Sequence, residues 1–145
     1  MAIQVGINGF GRIGRSVFRI ISDRDDMEVV AINDLFDNEQ LAYLLKYDTV
    51  MGIFDKEVTA QSDAMTVNNQ RVVMTEHRDP AEIPWKDLGA QFVIESTGVF
   101  RTREPLEKHM AAGAEKVILT VPAKEEIDAT IVIGVNDHEL KPEHR

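Results

Sequence analysis

Three glycines near the start of the chain have the spacing of a phosphate-binding turn. Gly9, Gly11 and Gly14 form Gly-x-Gly-x-x-Gly between a short apolar run and a stretch with helical periodicity. In such a turn the first glycine permits a tight bend, the second lets a pyrophosphate approach the backbone, and the third lets the helix pack closely on the sheet. The free N–H groups at the start of that helix, together with the positive end of its dipole, would face the phosphates.

An aspartate further along supplies the second half of this fingerprint. Asp34 follows Gly14 by about 20 residues and ends a second apolar run, where a carboxylate can accept hydrogen bonds from both hydroxyls of an adenine ribose. The same carboxylate would repel a 2′-phosphate, and the next residue, Leu35, offers that phosphate no charge. The pair therefore favours NAD over NADP. An aspartate that only begins a turn is the alternative, but the spacing, the strand and the glycines support the binding role independently.

Further polar residues stand where strands or helices are expected to end. Arg12, in the first turn of the glycine helix, is expected beside the pyrophosphate, and Ile13 offers a backbone N–H. The run Ser96-Thr97-Gly98 and the residue Thr120 each follow an apolar strand, at the edge where ligands bind in open α/β sheets. An ordinary strand-to-helix turn explains these two positions equally well. Arg78 lies in a polar loop, where a solvent-exposed role is the simpler interpretation.

No catalytic constellation is visible among the remaining residues. The four histidines (His77, His109, His138 and His144) lack metal-ligand spacing, and we expect His109 on a helix surface. The chain has no cysteine, which excludes disulfides, thiolate metal sites and a thiol nucleophile within it. The residues alone thus predict a nucleotide-binding domain without a catalytic group.

The glycine turn requires a strand before it and a helix after it, and the hydrophobic pattern predicts both. Residues 3–8 are expected to form a buried strand, and 28–33 a second one. Between them, a helix from Arg12 to about Asp23 should bury a stripe made of Ile13, Val17, Ile20 and Ile21. Strand, helix and parallel strand within about 30 residues make a βαβ unit.

The rest of the chain continues this alternation of strands and helices. We expect a short helix capped by Asp37, a hairpin region from Glu57 to Thr75 with its turn at Asn68-Asn69, a strand at 91–95, a helix from Glu104 to Ala112 closed by Gly113, and strands at 116–120 and 129–134. The pattern predicts an α/β fold, a Rossmann-type, doubly wound and mostly parallel sheet with a small antiparallel insertion, in one domain of residues 1–145.

Length, composition and charge limit the partners. The 145 residues are 43% hydrophobic and 28% charged, as in a globular domain with a real core. A formal net charge of −9 argues against nucleic acid or an anionic membrane as a partner. No apolar run approaches the roughly 20 residues that cross a bilayer, and no basic-then-apolar leader begins the chain, so we expect a cytoplasmic setting.

Several of these segments resemble one family, the glyceraldehyde-3-phosphate dehydrogenases, in order and spacing. The similar segments are Gly6-Ile7-Asn8-Gly9-Phe10-Gly11-Arg12-Ile13-Gly14-Arg15, Val30-Ala31-Ile32-Asn33-Asp34, Leu44-Leu45-Lys46-Tyr47-Asp48, Glu76-His77-Arg78-Asp79-Pro80, Glu95-Ser96-Thr97-Gly98-Val99-Phe100 and Ala112-Gly113-Ala114-Glu115-Lys116-Val117.

The resemblance implies a set of contacts to NAD. It implies contacts at Asn8, Gly9, Phe10, Gly11, Arg12 and Ile13, with Asn33 and Asp34 at the adenosine ribose. It also implies that Arg78 lies near the adenine, that Ser96, Thr97, Gly98 and Phe100 line the adenine and ribose region, and that Thr120 lies close to the nicotinamide half.

The resemblance further implies an NAD-dependent, phosphorylating aldehyde dehydrogenase of glycolysis, which converts glyceraldehyde 3-phosphate, phosphate and NAD to 1,3-bisphosphoglycerate and NADH. The family's cysteine nucleophile, its partner histidine and its catalytic domain would lie beyond Arg145, so we expect this chain alone to be inactive. Its expected partners are the catalytic half and further copies in a homotetramer. Two alternatives remain open: a stand-alone module that binds NAD or an adenine nucleotide without turnover, and a relative of erythrose-4-phosphate dehydrogenase.

Overall fold

The βαβ unit around the glycine turn forms as predicted. In the computed structural model, which describes residues 1–145, strands β1 (Ile3–Asn8) and β2 (Met27–Asn33) run parallel, and helix α1 (Arg12–Ile21) lies between them in the chain. β1 is followed at once by the turn, since α1 begins at Arg12 with Gly11 as its N-cap. The strand–turn–helix context that the glycine motif requires is therefore present.

The other predicted helices and strands form in the predicted order except for the strand at 129–134, and an unpredicted two-stranded ribbon is added. The strands are β3 (Tyr47–Asp48), β4 (Gly52–Ile53), β5 (Val58–Ala60), β6 (Ala64–Val67), β7 (Gln70–Thr75), β8 (Phe92–Glu95) and β9 (Lys116–Leu119). The helices are α2 (Asn38–Lys46), α3 (Trp85–Leu88) and α4 (Arg103–Ala111), with 3₁₀ turns at Pro80–Glu82 and Asp137–Glu139. No helix is both long and apolar enough to cross a membrane.

Seven strands form one sheet in the order β5-β6-β7-β2-β1-β8-β9. The five from β7 to β9 in that order are mutually parallel, whereas β5, β6 and β7 pair antiparallel, and β3 and β4 make a separate two-stranded ribbon. The chain winds from β1 to β2 on one side and later reaches β8 on the other side of β1. This reversal at β1 is the switch point of a doubly wound sheet, and its carboxyl edge is where such folds bind ligands. The predicted Rossmann-type fold with a small antiparallel insertion is confirmed.

Two hydrophobic clusters form the core. The larger contains 16 buried residues, including Phe10 and Phe18, and the smaller contains six and is built around Trp85. Gly6 in β1 makes room for that indole, because a Cβ at Gly6 would lie 2.5 Å from the Trp85 ring. The backbone of β1 therefore fixes where Trp85 sits.

The predicted buried stripe of α1 is correct at Ile21 and wrong at Ile13 and Ile20. Ile13 and Ile20 are 51% and 60% exposed, whereas Gly14, Phe18 and Ile21 are buried. The close contact of Gly14 with the turn sets the rotation of the helix, since residues four and seven positions later share its face. Hydrophobicity alone predicted that Ile13 and Ile20 face inward, whereas Gly14 and Phe18 do so.

The predicted strand at 129–134 is also wrong, because this segment pairs with no other strand. Instead, the Asn136 side chain accepts a hydrogen bond from the Val132 N–H at 2.7 Å, and Val135 N–H donates to the Val132 carbonyl at 2.9 Å. Gly134, at φ +81°, completes this local turn. Hydrogen bonds from a side chain to nearby backbone groups compete with strand pairing, and in this segment they replace it.

Candidate functional site

The carboxyl ends of four parallel strands align in one row. Asn33 of β2 lies opposite Asn8 of β1, Asn8 lies opposite Glu95 of β8, and Glu95 lies opposite Leu119 of β9. The residues that follow each strand therefore share one edge of the sheet. The polar residues predicted from the sequence to follow these strands are brought together there.

The glycine turn has the geometry that its spacing predicts. Gly9 has φ +90°, and a Cβ on it would lie 2.7 Å from the Thr97 nitrogen. A Cβ on Gly14 would lie 2.2 Å from the Gly9 carbonyl oxygen. Around Gly11, by contrast, a Cβ would meet nothing within 4 Å. The first and third glycines thus allow close backbone contacts, whereas the second faces open space.

The start of α1 leaves backbone donors for an anion. Gly11 has no side chain to cap the helix, and the first turn carries no acidic residue. Arg12 and Ile13 are both exposed there. Because the first N–H groups of a helix have no partner within it, this end can bind a phosphate.

Asp34 closes the turn from the β2 side. Its Oδ2 accepts a hydrogen bond from the Phe10 N–H at 2.6 Å, and its Oδ1 accepts one from the Phe36 N–H at 3.0 Å. A carboxylate has about four acceptor positions, so it keeps capacity for the two hydroxyls of a ribose. The side chain of Phe10 is fully buried and packs edge-on against Phe18, which leaves only its backbone at the site.

Arg15 supports the same turn from within α1. Its Nη1 donates to the Phe10 carbonyl at 3.0 Å, while its Nε is buried without a protein partner. Burial lowers the pKa of this guanidinium below its ordinary value, although an arginine remains a cation at neutral pH. A positive charge therefore lies behind the glycine turn.

Asn8 and Asn33 lie beneath the edge, and the side chains of both form hydrogen bonds within the protein. The Asn33 amide donates to Asn8 Oδ1 at 2.8 Å and to the His77 carbonyl at 2.9 Å. Its oxygen accepts from the Thr75 hydroxyl and the His77 N–H, both at 2.8 Å. These two amides hold neighbouring loops in place, among them the segment that precedes the exposed Arg78.

The segment after β8 is tied directly to the glycine turn. The Ser96 hydroxyl donates to the Gly9 carbonyl at 2.6 Å, and Gly98 has φ +74°, which favours glycine. Thr120, after β9, donates through its N–H to the Glu95 carbonyl at 3.1 Å. Phe100 is half-buried in the loop before α4. Arg78 forms no hydrogen bond to another residue of the site.

Sequence reasoning missed Glu95 and misplaced His109. Glu95 is fully buried, and its carboxylate accepts hydrogen bonds from Asn8, Thr97 and His109. His109, expected on a helix surface, is fully buried because the face of α4 that carries it packs inward, towards Trp85. The one signal available was the i, i+3 spacing of Leu106 and His109, which puts the histidine on the apolar face.

The chain is similar in sequence to one family of known proteins. The profile described as glyceraldehyde 3-phosphate dehydrogenase, NAD binding domain, matches residues 3–103. Glyceraldehyde-3-phosphate dehydrogenase of Thermotoga maritima is 56% identical over 97% of this chain and 43% of its own length. Those of Geobacillus stearothermophilus and Streptomyces coelicolor are 51% and 50% identical over 98% of this chain, and each is covered over 42% of its length. The chain thus spans about two fifths of these relatives.

Proposed function

Because the chain belongs to the glyceraldehyde-3-phosphate dehydrogenase family, with NAD as its cofactor, we propose that residues 1–145 are the NAD-binding domain of the phosphorylating enzyme. The observation that carries this proposal is the glycine turn. In this turn the start of α1 has no side-chain cap, the space around Gly11 is open, and the carboxylate of Asp34 lies beside both. These are the features that a dinucleotide requires.

The cofactor would lie across the carboxyl edge with its pyrophosphate at the start of α1. The N–H groups of Arg12 and Ile13 would donate to the phosphate oxygens, and the arginine side chain would add a positive charge. Asp34 would accept from the ribose hydroxyls. Leu35, which is 49% exposed and uncharged, would give a 2′-phosphate no compensating cation, so the site should select NAD over NADP.

The remaining predicted residues fall into three groups by their expected roles. Ser96, Thr97, Gly98, Phe100 and Arg78 would surround the adenine and its ribose, and Thr120 would lie towards the nicotinamide half. Asn8 and Asn33, whose amides are already satisfied within the protein, would act by holding the turn and the adenine-side loop. Gly9 and Phe10 would contribute through the backbone.

We propose that the intact enzyme oxidises glyceraldehyde 3-phosphate with inorganic phosphate to 1,3-bisphosphoglycerate. NAD supplies the hydride acceptor in this chemistry. The residues of this chain bind and orient that cofactor, and because they include no cysteine, a thiol nucleophile has to come from a catalytic domain outside residues 1–145. The chain alone should therefore bind NAD and fail to turn over substrate.

The proposal extends to partners and compartment. Tyr43, Tyr47, Val50 and Ile53 are large, apolar and exposed on α2 and the β3–β4 ribbon, as expected of a surface that contacts another part of the enzyme. We propose a catalytic half and a homotetramer as the assembly, in the cytoplasm, where an enzyme of glycolysis acts. A stand-alone NAD-binding module and an erythrose-4-phosphate dehydrogenase are the competing functions.

Two measurements test the proposal. Calorimetry with NAD and NADP should give tight binding of NAD only, and Asp34→Ala should weaken NAD binding by about 1–3 kcal/mol while reducing the discrimination against NADP. Unchanged affinity for both cofactors would remove Asp34 from the site. In the second measurement, the chain is mixed with the catalytic half of a family member and assayed with glyceraldehyde 3-phosphate and with erythrose 4-phosphate. Stable association without activity on either substrate would favour the stand-alone module.

A further inference from the structure

A chain of buried side chains joins the core of the domain to the cofactor edge. The Trp85 indole N–H donates to Nδ1 of His109 at 2.9 Å, and Nε2 of His109 lies 2.9 Å from Oε2 of Glu95. Glu95 in turn accepts from the Asn8 amide at 2.6 Å and from the Thr97 N–H at 2.9 Å. Trp85, His109 and Glu95 are each 0% exposed. This series of hydrogen bonds thus links α3 through α4 to the ends of β8 and β1.

The direction of the hydrogen bonds fixes one tautomer of His109. An indole N–H can only donate, so Nδ1 has to be the acceptor. The ring proton is then on Nε2, which faces Glu95 and donates to it. An imidazole with its proton on Nδ1 would set two donors against each other at Trp85 and two acceptors against each other at Glu95.

Every partner of the Glu95 carboxylate is a donor. Oε2 receives Asn8 and His109, and Oε1 receives the N–H and the hydroxyl of Thr97. A fully buried carboxylate is stable only where such donors compensate it, so Glu95 is held as an acceptor on both oxygens. The carboxylate fixes Asn8 on one side of the Gly9 turn and Thr97 on the other.

We propose that His109 and Trp85 are positioning residues for the cofactor site, acting through Glu95. Trp85 is immobilised against Gly6 of β1, it orients the imidazole of His109, and His109 holds the carboxylate that sets both walls of the glycine turn. From Asn8 the connection continues to Asn33, the residue before Asp34. The inference rests on the proposed NAD site at this edge and adds that its geometry is set from helix α4, which contributes none of the proposed contact residues.

Matched variants separate positioning from simple packing. His109→Phe keeps a ring in the core and removes the hydrogen bonds to Trp85 and Glu95. NAD binding should weaken about tenfold, as for the loss of the one hydrogen bond to Glu95 that positions the site. His109→Gln can still donate to Glu95 and should bind NAD within about threefold of the original chain. Leu106→Ala, on the same face of α4, creates a cavity and should lower the unfolding midpoint while leaving the NAD dissociation constant within about twofold.

A nitrogen NMR readout tests the hydrogen-bond chain without the cofactor. With only four histidines in the chain, a long-range ¹⁵N–¹H spectrum should show His109 protonated at Nε2 and bare at Nδ1. Protonation at Nδ1 would overturn the proposal whatever the affinity for NAD, and so would a failure of His109→Gln to restore the affinity lost in His109→Phe.

The binding data also distinguish the two levels of inference. If the original chain binds NAD and His109→Phe binds it equally well, the positioning role is wrong and the proposed function stands. If Leu106→Ala loses as much affinity as His109→Phe, the effect is one of packing and the positioning role is again wrong. If the original chain shows the Nε2 tautomer and binds no NAD, the proposed function fails, and with it the positioning role that rests on it.

Discussion

Gly11→Asp should stabilise the protein and weaken cofactor binding, two effects of opposite sign from one substitution. Gly11 is the N-cap of α1 with φ −72° and ψ −160°, an extended conformation that aspartate adopts readily. A Cβ there meets nothing within 4 Å, so the new side chain enters without a clash. Its carboxylate would accept hydrogen bonds from the N–H groups of Ile13 and Gly14, and the Ile13 group is one that the pyrophosphate is proposed to use.

The magnitudes follow from those groups. Replacing an N-cap glycine by aspartate gains a few tenths of a kcal/mol, and a negative charge at the start of a helix adds about 0.3–1 kcal/mol. Together these raise the unfolding midpoint of a domain of this size by about 2–4 °C. Binding loses the hydrogen bond from Ile13 to a charged phosphate, at about 1.5–3 kcal/mol, which corresponds to a loss of roughly 10- to 150-fold in affinity.

Differential scanning calorimetry and isothermal titration with NAD measure the two effects on one sample. Gly11→Ala is the matched control, because it adds the Cβ without the charge or the capping oxygen and should retain most of the affinity. A variant that is more stable and still binds NAD like the original chain would show that the pyrophosphate does not lie at the start of α1. The same result would refute the role assigned to Gly11.

Three further outcomes follow from the same contacts. Gly14→Ala should cost about 1–3 kcal/mol of stability, measured by urea denaturation, because its Cβ would overlap the Gly9 carbonyl; a neutral result would contradict the close helix contact. Arg19→Met should lower the unfolding midpoint by about 5 °C or more, because Arg19 donates to the carbonyls of Leu45 and Gly52. Lys46→Met is the control, because Lys46 donates to the Phe54 carbonyl, which is nearer in the sequence. The midpoint should also fall as pH drops below the ordinary aspartate pKa of 3.8, because backbone N–H donors lower the pKa of the folded Asp48 and Asp79 and the stability they confer is lost as each is protonated. A double Asn variant at these two positions should flatten that acid limb.

The parts of the structure that depend on neighbours in the chain could be predicted from the sequence. β1, α1 and β2 follow from hydrophobic periodicity within about 30 residues, and the roles of Gly9 and Gly14 follow from their spacing. The rotation of α1 could not be predicted from hydrophobicity, because a backbone contact at Gly14 outweighs the preference of isoleucine for the interior.

The hydrogen bonds that join Trp85, His109 and Glu95 could not be predicted from the sequence for a different reason. Trp85, Glu95 and His109 lie on α3, β8 and α4, and only the stacking of these elements on the sheet brings them into contact. No periodicity marks such a set, since each residue by itself resembles an ordinary core or surface position. The segment 129–134 shows the opposite error, because its apolar run predicts a strand and the local bonds of Asn136 prevent one.

The site is divided into groups that are already satisfied and groups that are free, and this division bears on how a cofactor would bind. Asn8, Asn33 and Glu95 spend their side-chain hydrogen bonds within the protein, one row below the edge. The groups above them, at Gly11 and the start of α1, have no protein partner to give up. A cofactor that uses only the free groups breaks no buried hydrogen bond when it binds. The conformational entropy of ordering the site is therefore lost during folding and not during binding. Binding should therefore proceed with little backbone movement at β1 and β8, since the carboxylate of Glu95 already holds both strand ends in register.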